Sequence, residues 1–163
     1  MITVQKVIES LKKLIQVKSH LLNLSQEKTE IVTAGSVDNL QALLVKERKY
    51  IRLLEQAESE RETATNEWMI ETQQTQQNVT ITEMLTIIED EKAKRKLEKT
   101  AIQLTDIIIQ LKQQEQLNQE LINQSMHFVQ MSLDVMNPSI KQMNYGNKKE
   151  TQAVERSVFD SKA

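Results

Sequence analysis

The sequence predicts an all-α protein. An antiparallel helical hairpin is followed by a long C-terminal helix, forming an elongated coiled-coil-like bundle with a disordered C-terminal tail. Three observations predict it. The 163 residues include only two glycines and one proline, so little interrupts a helix. Apolar residues recur at steps of three and four over most of the chain before that proline, Pro138. The composition, 39% hydrophobic and 27% charged, is too apolar for disorder and suits narrow helix–helix seams better than a thick core. The length is that of one helical domain, 1–137, with 138–163 as a flexible tail.

The first helix is expected over about 3–34. Val4, Val7, Leu11, Leu14 and Leu21 form one stripe with Lys18 in a gap, and Ile8, Ile15 and Leu22 run beside it. That makes one broad apolar face. Thr3 is the expected N-cap. Gly35 suits the position just past a helix end, where a left-handed backbone is needed. Ser36 then caps a second helix, and Asp38 lies in its favourable first turn. This second helix, over about 37–72, has Leu40, Leu43, Leu44, Ile51, Leu54 and Trp68 on its face. A turn this short makes the two helices antiparallel neighbours.

Thr72 to Val79 is polar and unpatterned, either a loop or a frayed end. Thr80 and Glu83 form a capping box for a short helix over about 81–89. Glu89 to Lys99 is charged and helix-favouring, and no glycine or proline decides whether 81–136 is one helix or two. The last helix, over about 91–136, shows Leu97, Ala101, Leu104, Ile108 and Leu111 at 3-4 spacing. It would be roughly 70 Å long and is expected antiparallel along the first two. Asn137-Pro138 ends it. The tail holds Lys141, Lys148, Lys149, Arg156 and Lys162 against Glu150, Glu155 and Asp160, and Val154, Val158 and Phe159 would make one apolar patch if a short helix formed there.

Several chemistries find no support. The formal net charge of -2 gives no basic balance for nucleic acid. With no cysteine there is no disulfide or thiolate metal site. His20 and His127 lack the Glu-x-x-His context of a helical di-iron site, since Val17 and Gln124 stand where glutamate is required. No Gly-rich loop exists to cradle phosphate. No catalytic residue, cofactor or metal is expected. The N-terminus does not read as a signal peptide, and the longest apolar run is Ala42 to Val45, too short to insert in a membrane. A cytoplasmic location follows. The mixed signs of Glu89 to Lys99 read as a solvated helix face. Trp68 reads as core.

The candidate binding surface lies at the end of the long helix. Met126, Val129, Leu133 and Met136 form one stripe, and Phe128, Met131 and Val135 a second, with Leu117 and Leu121 upstream. Together they are wider than a two-helix seam needs. Methionine repacks readily, which suits a surface that accepts another amphipathic helix. Either such a partner covers both stripes or the protein's own helices do. A structural coiled-coil scaffold or homo-oligomer is the alternative function, although register shifts near Glu115 and Asn118 interrupt a continuous heptad.

Lys28, Ile31, Gly35, Asp38, Leu40, Leu43, Glu47, Leu54 and Arg61 resemble the N-terminal hairpin of the FlgN family of flagellar export chaperones. Asn118, Leu121, Ile122, Phe128 and Leu133, with Tyr145-Gly146 beyond, resemble its later part. The resemblance implies a non-enzymatic, cytoplasmic chaperone. Its partners would be the C-terminal helices of hook-filament junction (hook-associated) proteins. It would keep them from premature assembly and deliver them to the flagellar type III export apparatus. It places substrate contact in the C-terminal region, here Leu117 to Met136, and gives Tyr145 a role in docking to the export gate.

Overall fold

The computed structural model describes residues 2–136. Over these residues the chain is all-α, with four helices and no strand: α1 (Ile2–Ala34), α2 (Val37–Glu71), α3 (Ile81–Ile87) and α4 (Glu91–Met136). The tail, with Tyr145 and the Val154/Val158/Phe159 patch, lies outside the described residues. The chain divides into two compact units, Met1–Leu121 and Ile122–Ala163.

The first unit is built on the α1–α2 hairpin. Gly35 adopts φ +71°, and both hydrogen bonds of a Schellman turn form. The Ser36 N–H donates to the Ile31 carbonyl (3.3 Å) and the Gly35 N–H to that of Val32 (3.2 Å). The Ser36 side chain accepts from the Asn39 N–H and starts α2. Ion pairs Lys6–Glu67, Lys13–Glu60 and Lys28–Glu47, each 2.6 Å, descend the hairpin and establish that its helices are antiparallel. His20 stacks on Tyr50 between them, with ring centroids 5.1 Å apart. Lys28–Glu47 is the most shielded of the three pairs. The exposed pairs add little stability. The hydrogen bond from Lys13 holds the Glu60 carboxyl below its ordinary range.

Along the hairpin α1 buries Val7, Ser10, Leu14, Val17, Leu21 and Leu24. α2 buries Leu43, Ala57, Ala64, Trp68 and Met69. Two of these five are alanines, which let the helices approach closely. This moves the α2 face from the expected position: Ile51 is 41% exposed, because the seam follows Tyr50, Leu54 and Ala57 instead.

The α4 helix corrects two expectations. It runs parallel to α1, and therefore antiparallel only to α2. Ile87, Ile88 and Glu89, just before α4, share a cavity of about 220 Å³ with Thr3, Val4 and Trp68. At the other end, Asn118 Nδ2 donates to Ser25 Oγ (2.9 Å) and to the Ser25 carbonyl (2.7 Å). Three long helices cannot all be mutually antiparallel, and α3 carries the chain back past the start of α1. The seam is also rotated. Leu97, Thr100, Leu111 and Asn118 are buried, and Leu104 and Ile107 pack on the core. Thr100 and Ile107 thus replace the expected Ala101 and Ile108, and Ile108 is 42% exposed. A threonine is tolerated in the seam because its hydroxyl donates to the Lys96 carbonyl (2.8 Å).

Near Asn118 the seam becomes polar. Thr29 Oγ1 donates to Asn118 Oδ1, and Gln114 Nε2 donates to Thr29 Oγ1 (2.6 Å). Every group in this cluster has a partner, as burial requires. A third correction concerns Thr3. The helix already begins at Ile2, so Thr3 caps nothing, and its Oγ1 is buried without a partner among the described residues.

The segment after α2 is a loop. Its first turn repeats the Schellman pattern, with Gln74 N–H donating to the Met69 carbonyl (2.9 Å) and Gln73 N–H to that of Ile70 (3.2 Å). Here the left-handed residue is Gln73, φ 55°. The expected capping box forms at α3. The Thr80 N–H donates to Glu83 Oε2 (2.8 Å) and the Glu83 N–H to Thr80 Oγ1 (3.2 Å). Residues 88–90 separate α3 from α4, and Asp90 Oδ1 accepts from the Lys92 N–H (3.1 Å) at the start of α4.

Two outcomes follow for stability. A Cβ at Gly35 would meet nothing within 4 Å, so Gly35→Ala costs only left-handed strain, about 1 kcal/mol, while Gln73→Gly relieves the same strain and gains about as much. Urea unfolding midpoints check both signs. Asn118→Ala leaves the Ser25 hydroxyl oxygen without its donor and lowers unfolding free energy by about 1–3 kcal/mol in the same assay.

Candidate functional surface

Among the described residues no helix is long and apolar enough to cross a membrane, and no group of three or more His, Asp or Glu side chains could hold a metal ion. A groove of about 430 Å³ between α1 and α2 is lined by the small side chains Ser10, Ser59, Thr63 and Ala64 and bridged by the Lys6–Glu67 and Lys13–Glu60 pairs.

The sequence-predicted residues fall in both units. Leu117 and Leu121 belong to the first. Leu117 is 44% exposed and Leu121 is half-buried, because Asn118, one residue from Leu117, takes the seam position.

In the second unit α4 continues from Ile122 to Met136. Met126, Val129, Leu133 and Met136 are each at least 55% exposed, and so are Phe128, Met131 and Val135. From Asn123 to Met131 every residue is exposed. Within the second unit, both stripes are exposed along one helix. Seven large apolar side chains within eleven positions form the kind of contiguous patch that monomeric proteins seldom leave bare. Of the residues between them, Gln130 and Ser132 are polar and uncharged and Asp134 is the one acidic side chain.

Three exposed isoleucines in the first unit, Ile102, Ile108 and Ile109, were not separable from the seam by periodicity alone. A run of three isoleucines at 107–109 satisfies any helical phase.

Comparison with known proteins agrees with this arrangement. The sequence profile of the family described as "FlgN protein" matches residues 1–153. A Bacillus subtilis (strain 168) protein named "Uncharacterized protein YvyG" is 31% identical over 160 residues, covering 96% of this chain and 97% of that protein. No solved structure matches. The hairpin, the capped short helix and the long helix with its bare apolar end thus sit within a match that runs almost the length of the chain, and the protein belongs to the FlgN family, a family of flagellar export chaperones.

Proposed function

We propose that this protein is a cytoplasmic, non-enzymatic chaperone for hook-filament junction proteins. It binds their C-terminal helices, keeps them from assembling prematurely and delivers them to the type III export apparatus. The chaperone region is residues 1–137. No cofactor, nucleic acid or membrane insertion enters the mechanism. The observation that carries the reading is the bare double stripe of Met126, Phe128, Val129, Met131, Leu133, Val135 and Met136. Leu117 and Leu121 are further contacts in the first unit.

The mechanism is shared burial. A junction-protein terminus with its own amphipathic helix has an apolar face that pairs with others of its kind. Laid on α4, that face is withdrawn from self-pairing. Completing the burial of seven half-exposed apolar side chains gives a gross gain on the order of 10 kcal/mol. Lost translational and rotational freedom costs about 4–15 kcal/mol. The balance is a reversible complex, which an export step can dissociate without chemistry. Methionines at 126, 131 and 136 let one surface repack against more than one partner.

Isothermal calorimetry with the C-terminal helices of a junction protein from the same bacterium is expected to give binding at micromolar concentration. No heat at that concentration sinks the reading. Phe128→Asp or Val129→Asp lowers affinity at least about tenfold, the effect of losing roughly 1.4 kcal/mol of apolar contact, and leaves circular dichroism unchanged. A concentration-independent oligomer in light scattering, with no affinity for junction proteins, would instead favour the homo-oligomeric scaffold.

The family resemblance assigns Tyr145 to docking at the export gate. Tyr145→Ala is expected to leave calorimetric affinity intact and reduce secretion of the junction protein into the medium. Undiminished secretion in that variant discards the assignment.

A further inference from the structure

The first nine residues of α4, Glu91 to Lys99, contain five basic and two acidic side chains. The remaining 37 contain one basic and four acidic (Lys112 against Asp106, Glu115, Glu120 and Asp134). This asymmetry runs against the helix macrodipole, whose positive end favours acidic residues and is weakened by basic ones. It is not offset by pairing. Lys94 lies 4.0 Å from Glu91, but Lys92, Arg95, Lys96 and Lys99 have no ion-pair partner among the described residues. All four are exposed.

Folding sorts the mixed signs of the sequence by face. Lys92, Arg95, Lys96 and Lys99 stand at i, i+3, i+4 and i+7, so they form one stripe along about 10 Å of helix. They border a surface groove of about 500 Å³ with Glu91. Leu97 and Thr100, on another side of the same turns, are buried, so the stripe is held on a packed segment. Glu91 and Glu98, seven apart, line its flank, and Ile102, 57% exposed, lies one turn beyond Lys99.

We propose that this stripe is a second protein-docking surface, and that its partner is an acidic helix with carboxylates at matching i, i+3, i+4 and i+7 spacing. A narrow helix meets the four cations and, of the two glutamates, only Glu91 at the groove's end. A bilayer or a nucleic-acid duplex is broad and evenly anionic and would press against Glu98 as well. Beside the stripe Leu97 is covered and Ile102 is the one exposed large apolar side chain, too little for the broad apolar face with which an interfacial helix enters lipid. The surface lies in the first unit and does not depend on the junction-protein stripe, so the chaperone can hold cargo and a second protein by separate residues.

The test uses the full chain and a designed helical peptide with glutamates at i, i+3, i+4 and i+7. The controls are a permuted peptide of the same composition, phosphatidylglycerol vesicles and duplex DNA. Fluorescence anisotropy is expected to show the striped peptide binding about tenfold or more tightly than the permuted one, the summed effect of several exposed ion pairs, and losing affinity as salt rises. The combined Lys92→Gln, Arg95→Gln, Lys96→Gln, Lys99→Gln variant abolishes that preference, whereas Phe128→Asp keeps it. The fourfold variant melts at the same temperature as the parent or higher, since the charges oppose the helix dipole. Equal affinity for both peptides, tighter binding to vesicles or DNA, or a lowered melting temperature in the fourfold variant would each overturn the proposal.

Discussion

The structure depends on α1 having two seams side by side. One, through Val7, Ser10, Leu14, Val17, Leu21 and Leu24, faces α2. The other, displaced by one residue, runs through Val4, Ile8, Leu11, the half-buried Ile15 and Lys18, then Leu22 and Ser25 toward α4. Each keeps alternating steps of three and four, the spacing that holds a stripe against a neighbouring helix. A helix with a single stripe would secure α2 or α4, but not both. The arrangement explains why three of the four completely buried leucine and isoleucine side chains, Ile8, Leu11 and Leu14, cluster in the first half of α1, where both seams are mainly apolar. It also sets the topology. With α1 at the centre and α2 antiparallel to it, α4 is led back beside the start of α1, and the short α3, with its own Met84 buried, closes that end beside Trp68.

The two seams end differently. Toward the Gly35 turn, the α2 seam passes to the Lys28–Glu47 pair, and the α4 seam to the Ser25, Thr29, Gln114 and Asn118 cluster. A buried polar cluster contributes less net stability than leucines in the same positions, but tolerates only one register, because any slip leaves amide or hydroxyl groups without partners. The first unit is thus glued by apolar contact at its closed end and indexed by polar contact toward its turn.

Much of this was legible because few signals competed. Gly35, Ser36, Thr80 and Glu83 mark helix ends through their own side chains or lack of one, and each acts as its chemistry dictates. The features that escaped share a cause: they depend on which neighbour a helix meets. Gln73 ends α2 in a left-handed conformation with no sequence mark, because the turn is imposed by the chain leaving the bundle. Ala101 and Ile108 fit a periodic stripe as well as Thr100 and Ile107 do, and only contact with α1 selects between them. Lys28 and Glu47 stood out singly in the sequence, but their pairing across 2.6 Å requires the hairpin register. In the basic stripe, four cations were diluted by neighbouring glutamates in the linear sequence and separated from them by helical geometry.

The open end of α4 poses a physical question, since an apolar helix without a neighbour is usually marginal. Its persistence to Met136 follows from cooperativity and composition. Nucleation is the unfavourable step, and α4 is nucleated and packed from Leu97 to Asn118, so each further residue adds a backbone hydrogen bond at little cost. Glutamine, leucine and methionine recur over this stretch, all good helix formers with few competing side-chain bonds. The absence of glycine and proline from Glu91 to Met136 is therefore more than a by-product of helical folding. Under the proposed function, it keeps the stripe helical before a partner arrives, so that association orders mainly side chains and not backbone, and less of the apolar gain is lost to conformational entropy. A surface with that proposed role benefits from preorganisation, because its affinity can stay modest without the stripe unwinding between encounters.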